Sequence, residues 1–298
     1  MPSRARDRHL AKLAARRQAE RRAARRRRNT ILWVVAGVIA AVVIVVGVVR
    51  FTGGNGTAAA SGSPTPSASA SASSTKNGLP QQTGTVKPQA SPAKTVACGA
   101  SVPKDAGKPK PQFASAPSPS TVLKKDTTYT AVMKTSCGTI TIALDAPGTP
   151  NTVASFVFLA DQHYFDGTFF HRVVDSIDVI QGGDPLGTGS GGPGYTIPDE
   201  LTGKEDYKTG TVAMAKTQAP NSGGSQFFII TGPKGTNLNG SPNYTIFGHV
   251  TSGLAVAQKI NSFMPSTGDG PPTQAVYIDS VTILTKKTPP SPSASPSA

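Results

Sequence analysis

The chain reads as a mainly β protein: an antiparallel barrel closed at its ends by two helices, set behind an apolar span and a long linker. Three observations predict this. Short runs of apolar–polar alternation recur between residues 127 and 285, with only two stretches of helical spacing among them. A charge-free run of nineteen residues at 31–49, ILWVVAGVIAAVVIVVGVV, has the length that crosses a bilayer. Between the two lies a Pro-, Ser- and Ala-rich tract with no apolar periodicity.

Residues 1–30 carry twelve Lys or Arg against Asp7 and Glu20, so most of the formal net charge of +14 sits there and the rest of the chain is nearly balanced. A basic segment beside a membrane span reads as a cytoplasmic tail held to anionic lipid. It has no aromatic to stack on bases, so no nucleic-acid partner is expected. As a helix, 31–49 spans roughly 28 Å at ~1.5 Å per residue. Trp33 stands near one end and Arg50 closes the other. The basic excess before the span predicts a single-pass anchor in the cell membrane, N terminus in the cytoplasm and folded domain outside it. A cleaved signal peptide is the competing reading, with Ala58-Ala59-Ala60 near its cleavage point. Nineteen apolar residues exceed the usual signal core.

Residues 50–125 are expected to be linker, with a mean reach on the order of 45–50 Å for about 70 flexible residues. Cys98 and Phe113 interrupt its composition, so residues after 96 are expected to lie along the folded domain. The chain has only two cysteines, Cys98 and Cys137, which excludes a disulfide-rich scaffold and a Cys-only zinc site. If the domain is exported they can pair with each other; two unpaired, small apolar residues are the equal alternative. Residues 126–286 are the folded domain, and 287–298 a disordered tail.

Within the domain, Tyr129, Ala131 and Met133 alternate with polar neighbours, as do Ile140, Ile142 and Leu144 after a Cys137-Gly138 turn. Two short strands and a tight turn predict a hairpin. Thr149-Pro150-Asn151 has the form of a helix start. Val153, Phe156, Val157 and Ala160 follow at the spacing of one buried face. Strand-like pieces recur at 210–215, 226–231, 245–250 and 275–284, and a second helix is expected at 253–263. The stretch 182–194, GGDPLGTGSGGPG, must be a loop. Its Gly189-x-Gly191-x-x-Gly194 spacing is formally a dinucleotide fingerprint, but no strand precedes it and Pro193 intrudes.

The chemistry is concentrated in residues 169–185, FFHRVVDSIDVIQGGDP, and 223–230, GGSQFFII. Each joins fixed polar donors (Arg172, Gln181, Gln226) to apolar neighbours, the composition of a shallow apolar pocket. Ser225 lacks the second glycine of a nucleophile elbow, and no two histidines stand four residues apart as a helical metal pair would need. No cofactor is expected. Prolyl isomerisation suits this inventory, because it requires no nucleophile, proton relay or metal.

Five words in order, Phe-His-Arg-Val, Gln-Gly-Gly-Asp-Pro, Met-Ala at 214–215, Gly-Ser-Gln-Phe-Phe-Ile and Phe-Gly-His-Val, resemble the cyclophilin family of peptidyl-prolyl isomerases over about residues 127 to 285. The resemblance implies an eight-stranded barrel and proline-containing polypeptides as substrates. It implies Arg172 as the catalytic arginine, Phe228, Val179 and Leu238 as the proline-pocket wall, and Gln181 as the substrate-positioning glutamine. Ala215, Lys216 and Gln226 match the groove for residues preceding the proline, and Tyr244 falls where the family often has histidine. Phe169, at the head of the first stretch, is placed with the substrate contacts. His171 is expected to be a structural hydrogen-bonding residue. The chain also departs from the family. One extra residue stands between Arg172 and Gln181, and Asp178 or Ile177 replaces an aromatic. Lys216 replaces a frequent asparagine. Asn237 replaces the tryptophan that strengthens cyclosporin binding, so cyclosporin binding is expected to be weak. The sequence thus predicts a membrane-anchored bacterial isomerase acting on exported proteins. The altered loop motivates a rival, a proline-binding module without useful turnover. A second rival makes the Arg-rich tail the functional end.

Overall fold

The structure, a computed structural model, describes residues 78–288. Segments 1–30 and 31–49, most of the tail and the first part of the linker lie outside the described residues. Among those described, no helix is long and apolar enough to cross a membrane. In chain order the elements are β1 (Gln82–Val86), a 3-10 turn (Ala97–Gly99), β2 (Lys110–Phe113), a helical turn (Pro119–Val122), β3 (Thr127–Thr135), β4 (Gly138–Leu144), α1 (Pro150–Asp161), β5 (Arg172–Val174), β6 (Val179–Gly182), β7 (Thr211–Met214), β8 (Phe227–Ile230), β9 (Ile246–Ser252), α2 (Leu254–Asn261), β10 (Asp269–Gly270) and β11 (Ile278–Lys287).

β1 and β2 pair with each other. The other strands form one antiparallel sheet in the order β10-β5-β6-β8-β7-β9-β4-β3-β11. The paired set is therefore nine strands rather than the expected eight, because the two-residue β10 covers the outer edge of β5. The two ends of this order approach each other ahead of β5 and β11. There Phe169 bridges Tyr277, and Gly167 N–H donates to Ile278 O at 2.7 Å.

The expected hairpin forms with Tyr129 opposite Leu144, Ala131 opposite Ile142 and Met133 opposite Ile140. All six side chains are buried, since period-2 alternation sends them to one face. Phe156 of α1 lies among Phe165, Phe227 and Phe247, with ring centroids 5.0–5.8 Å apart. One buried face was expected of α1, yet every residue from Thr152 to Ala160 is buried. The outer face is covered by the segment read as linker: Phe113 packs edge-on against Phe158 at 4.8 Å, and Val122 and Leu123 pack on the same core. The open amide groups at the start of α1 are held from outside the helix. Glu200 accepts from the backbone N–H of Asn151 and of Thr152, each at 2.9 Å, where a carboxylate also meets the positive end of the helix dipole.

Residues after 96 lie along the folded domain, as the sequence predicts, and residues 78–95, expected as linker, join them there, with Gln89 N–H donating to Leu186 O and Ala275 N–H to Thr95 O. Residues 78–125 form a strap laid along the sheet. Val96 bridges Ala275 and Ala97 N–H donates to Ala275 O at 2.9 Å. Cys98 and Cys137 are joined as a disulfide, which decides between the two readings of that pair. Lys110 is buried, its ammonium donating to Asp166 O, and burial pushes its pKa down. Lys287, placed in the expected tail, is the last residue of β11.

Candidate active site

Strand register builds the site. Arg172 lies opposite Gln181, Gln181 opposite Phe228, and Phe228 opposite Ala213, so four neighbouring strands set these residues in one cross-strand row. Alternation then splits the sheet. Val173, Ile180, Val212, Phe227 and Ile229 face the main core, while Val179, Ala213, Phe228 and Ile230 form a second apolar cluster on the opposite face. Ala215, Leu238 and Tyr244 pack against that second cluster, and the Tyr244 ring meets Phe228 edge-on at 5.2 Å.

Arg172 stands at the rim of this apolar patch. Asp269, delivered by β10, accepts from its Nε at 2.7 Å and from one terminal nitrogen at 2.6 Å. The fork fixes the guanidinium plane. Its other terminal nitrogen makes no hydrogen bond among the described residues. The hydrogen bond raises the Arg172 pKa and lowers that of Asp269, so both stay charged at neutral pH.

Beside the patch is a cavity of about 260 Å³ lined by Gln181, Ala215, Lys216, Gln226 and the loop 189–193. Gln181 Nε2 donates to Gln226 Oε1 at 2.9 Å, and Gln226 Nε2 donates to Gly191 O at 2.9 Å and Gly189 O at 3.0 Å. At the far end, the Lys216 ammonium meets Asp199 at 2.6 Å, with only 4% of the lysine side chain exposed. Its charge is consumed by that pair, so Lys216 offers the groove an aliphatic stem.

Nine of the ten residues assigned from the sequence therefore converge: Arg172, Val179, Gln181, Ala215, Lys216, Gln226, Phe228, Leu238 and Tyr244. Phe169 does not. It packs with Ala275 and Tyr277, in a cluster apart from that of Phe228. His171 also differs from expectation: it is buried, but neither ring nitrogen has a hydrogen-bond partner among the described residues. Burial lowers its pKa, Asp184 opposes the shift, and Arg172 adds a smaller lowering.

The extra residue before Gln181 is absorbed locally. Asp175–Ile177 form a 3-10 turn and Asp178 takes a left-handed conformation with φ 47°. Thr231 N–H donates to Asp178 O at 2.7 Å, and Lys234 N–H to its carboxylate at 2.9 Å. Ile177, not Asp178, then packs against the Phe228 cluster, and Asn237 Nδ2 donates to Ser176 O at 3.0 Å. Sequence reasoning missed Asp269, Asp199 and Tyr207. The buried Tyr207 hydroxyl donates to Tyr244 O at 2.7 Å and accepts from Tyr244 N–H at 2.8 Å, holding the loop that carries Leu238 and Tyr244.

Comparison with known proteins identifies the family of the domain. The family model described as cyclophilin type peptidyl-prolyl cis-trans isomerase/CLD matches residues 130–283. The chain belongs to the cyclophilins. The domain is 46% identical over 114 residues to peptidyl-prolyl cis-trans isomerase B of Bacillus subtilis, covering 38% of this chain and 76% of that protein. It is 40% identical over 175 residues to peptidyl-prolyl cis-trans isomerase A of Mycobacterium tuberculosis, covering 52% and 92%. A solved cyclophilin-type isomerase of Cryptosporidium parvum aligns with 53% of this chain and 98% of its own, at 27% identity and a TM-score of 0.48. This cyclophilin is a peptidyl-prolyl cis-trans isomerase, an enzyme that interconverts the two forms of the X-Pro bond.

Proposed function

We propose that the domain isomerises X-Pro bonds of proteins exported across the membrane that anchors it, with Arg172 as the catalytic donor. The observation that carries this is the cross-strand row, which sets the clamped guanidinium beside Gln181 and the apolar face of Phe228. Amide resonance gives the bond a rotation barrier of roughly 18–20 kcal/mol. Twisting localises a lone pair on the prolyl nitrogen, and a guanidinium N–H can donate to it only then. The interaction is stronger in the transition state than in the ground state, which is the condition for lowering the barrier. Val179, Phe228, Leu238 and Tyr244 hold the ring, and Gln181 fixes a neighbouring carbonyl.

In an assay of an Ala-Pro-Phe peptide, whose spontaneous relaxation takes tens to hundreds of seconds, the full-length protein should accelerate exchange at catalytic concentrations. Peptide binding without acceleration would leave a proline-binding module. In the same assay cyclosporin is expected to inhibit only at micromolar concentrations or above, because Asn237 is engaged with Ser176 and supplies no aromatic surface; nanomolar inhibition would contradict this.

Three features support the location: the uncharged run at 31–49, the basic excess before it, and a disulfide, which fits an oxidising compartment outside the cytoplasm. Protease added to intact cells should then remove the isomerase domain and spare an epitope fused to the N terminus. Loss of the epitope with the isomerase domain protected until lysis would reverse the orientation.

A further inference from the structure

We propose that the strap, through Gln112 and Phe113, sets the specificity of the groove for the residues that precede the proline. This rests on the reading of that groove given above. The strap lies ahead of residues 130–283, so the family model does not cover it. Yet it reaches the groove directly. One wall of the 260 Å³ cavity is the backbone of residues 189–193, four of whose five members are Gly or Pro. Such a segment has little intrinsic preference for one shape, so its position depends on what holds its carbonyls.

Those carbonyls are held from two sides. Gln226 takes Gly189 O and Gly191 O from the side of the sheet. The strap takes the next two: Gln112 Nε2 donates to Gly192 O at 2.8 Å and Phe113 N–H to Pro193 O at 2.8 Å. A third strap contact, Gln89 N–H to Leu186 O at 3.0 Å, holds the same loop earlier. At Gly194, with φ +94°, an added Cβ would lie 2.7 Å from Phe113 O, so loop and strap are in direct contact. The strap itself is fixed by the Phe113–Phe158 contact and the disulfide. Gln226 is shared between the wall and Gln181, so a displaced wall also loosens the glutamine pair at the groove's inner end. Gln112 is a positioning residue: it acts on the substrate through the loop.

The test uses the full-length protein with Gln112→Ala and the isosteric Gln112→Glu, whose carboxylate cannot donate to Gly192 O. Exchange of Ala-Pro-Phe is compared with that of a peptide bearing four residues before the proline. The ratio of kcat/KM for the long peptide over the short one should fall about fivefold in both variants, the worth of one hydrogen bond near 1 kcal/mol, with the change in KM. An unchanged ratio overturns the proposal, as does an equal loss on both peptides, which would mark a general effect on folding. If the wild-type protein accelerates neither peptide, the reading of the site itself fails instead.

Discussion

Replacing Arg172 by alanine is expected to lower kcat/KM for a short prolyl peptide by about 10²–10³, the usual cost of deleting one preorganised donor to a developing lone pair. The loss should appear in kcat. Proline-peptide affinity should change only a few-fold, because the wall of Val179, Phe228 and Leu238 does not depend on the guanidinium. Asp269→Ala tests the clamp separately. Nε and one terminal nitrogen of Arg172 are bound to this carboxylate, at a site where 46% of the arginine side chain is exposed. Without it the guanidinium rotates among solvated positions, and kcat should fall about five- to tenfold with KM retained. The pair also gives a sign for acid. The Asp269 pKa is lowered in the folded protein, so the clamp is complete above the ordinary carboxylate range and is lost as pH falls through that lowered value. Solvent screening keeps its contribution to stability small. Full activity of Arg172→Ala would remove the arginine from the mechanism.

What the sequence made legible was what is local or periodic. The β3–β4 pairing follows from alternation that survives intact as Met133 opposite Ile140. Arg172, Gln181 and Phe228 could be grouped because each sits in a short, composition-marked run; that they form one row required strand register. Phe169 shows the limit of such grouping. It adjoins the motif, but it precedes β5 and turns into the contact with Tyr277 at the meeting of the sheet's ends. Asp269 and Tyr207 were invisible for another reason. Their partners lie 97 and 37 residues away, and neither stands in a patterned segment. In the strap, Cys98 and Phe113 mark the part after residue 96 as lying along the domain, whereas residues 78–95 have only the Pro- and Ser-rich composition of a linker. What orders the strap is the β1–β2 pairing within it and a few point attachments to the domain: an aromatic contact, isolated backbone and side-chain bonds and one covalent bond, none of which composition marks.

That covalent bond carries the largest expected effect on stability. Cys98 and Cys137 are 39 residues apart, and Cys137 lies at the turn between β3 and β4, so the disulfide ties the strap to the β3–β4 hairpin of the sheet. Closing a loop of this length removes unfolded-state entropy worth about 4 kcal/mol at 25 °C. Reduction of the native protein should therefore lower Tm by about 10 °C, at a few degrees per kcal/mol for a domain of this size. Thiol titration under denaturing conditions should find no free thiol before reduction and two after it. Cys98→Ser should reproduce the reduced Tm and make it insensitive to reductant, which separates the bond from side effects of the reagent. Exchange of the short Ala-Pro-Phe peptide should persist at temperatures where the reduced protein is folded, since neither cysteine belongs to the Arg172–Phe228 row. An unchanged Tm on reduction would instead mean that Val96–Ala275 pairing and the Phe113–Phe158 contact hold the strap by themselves, and that the disulfide adds no constraint the fold does not already impose.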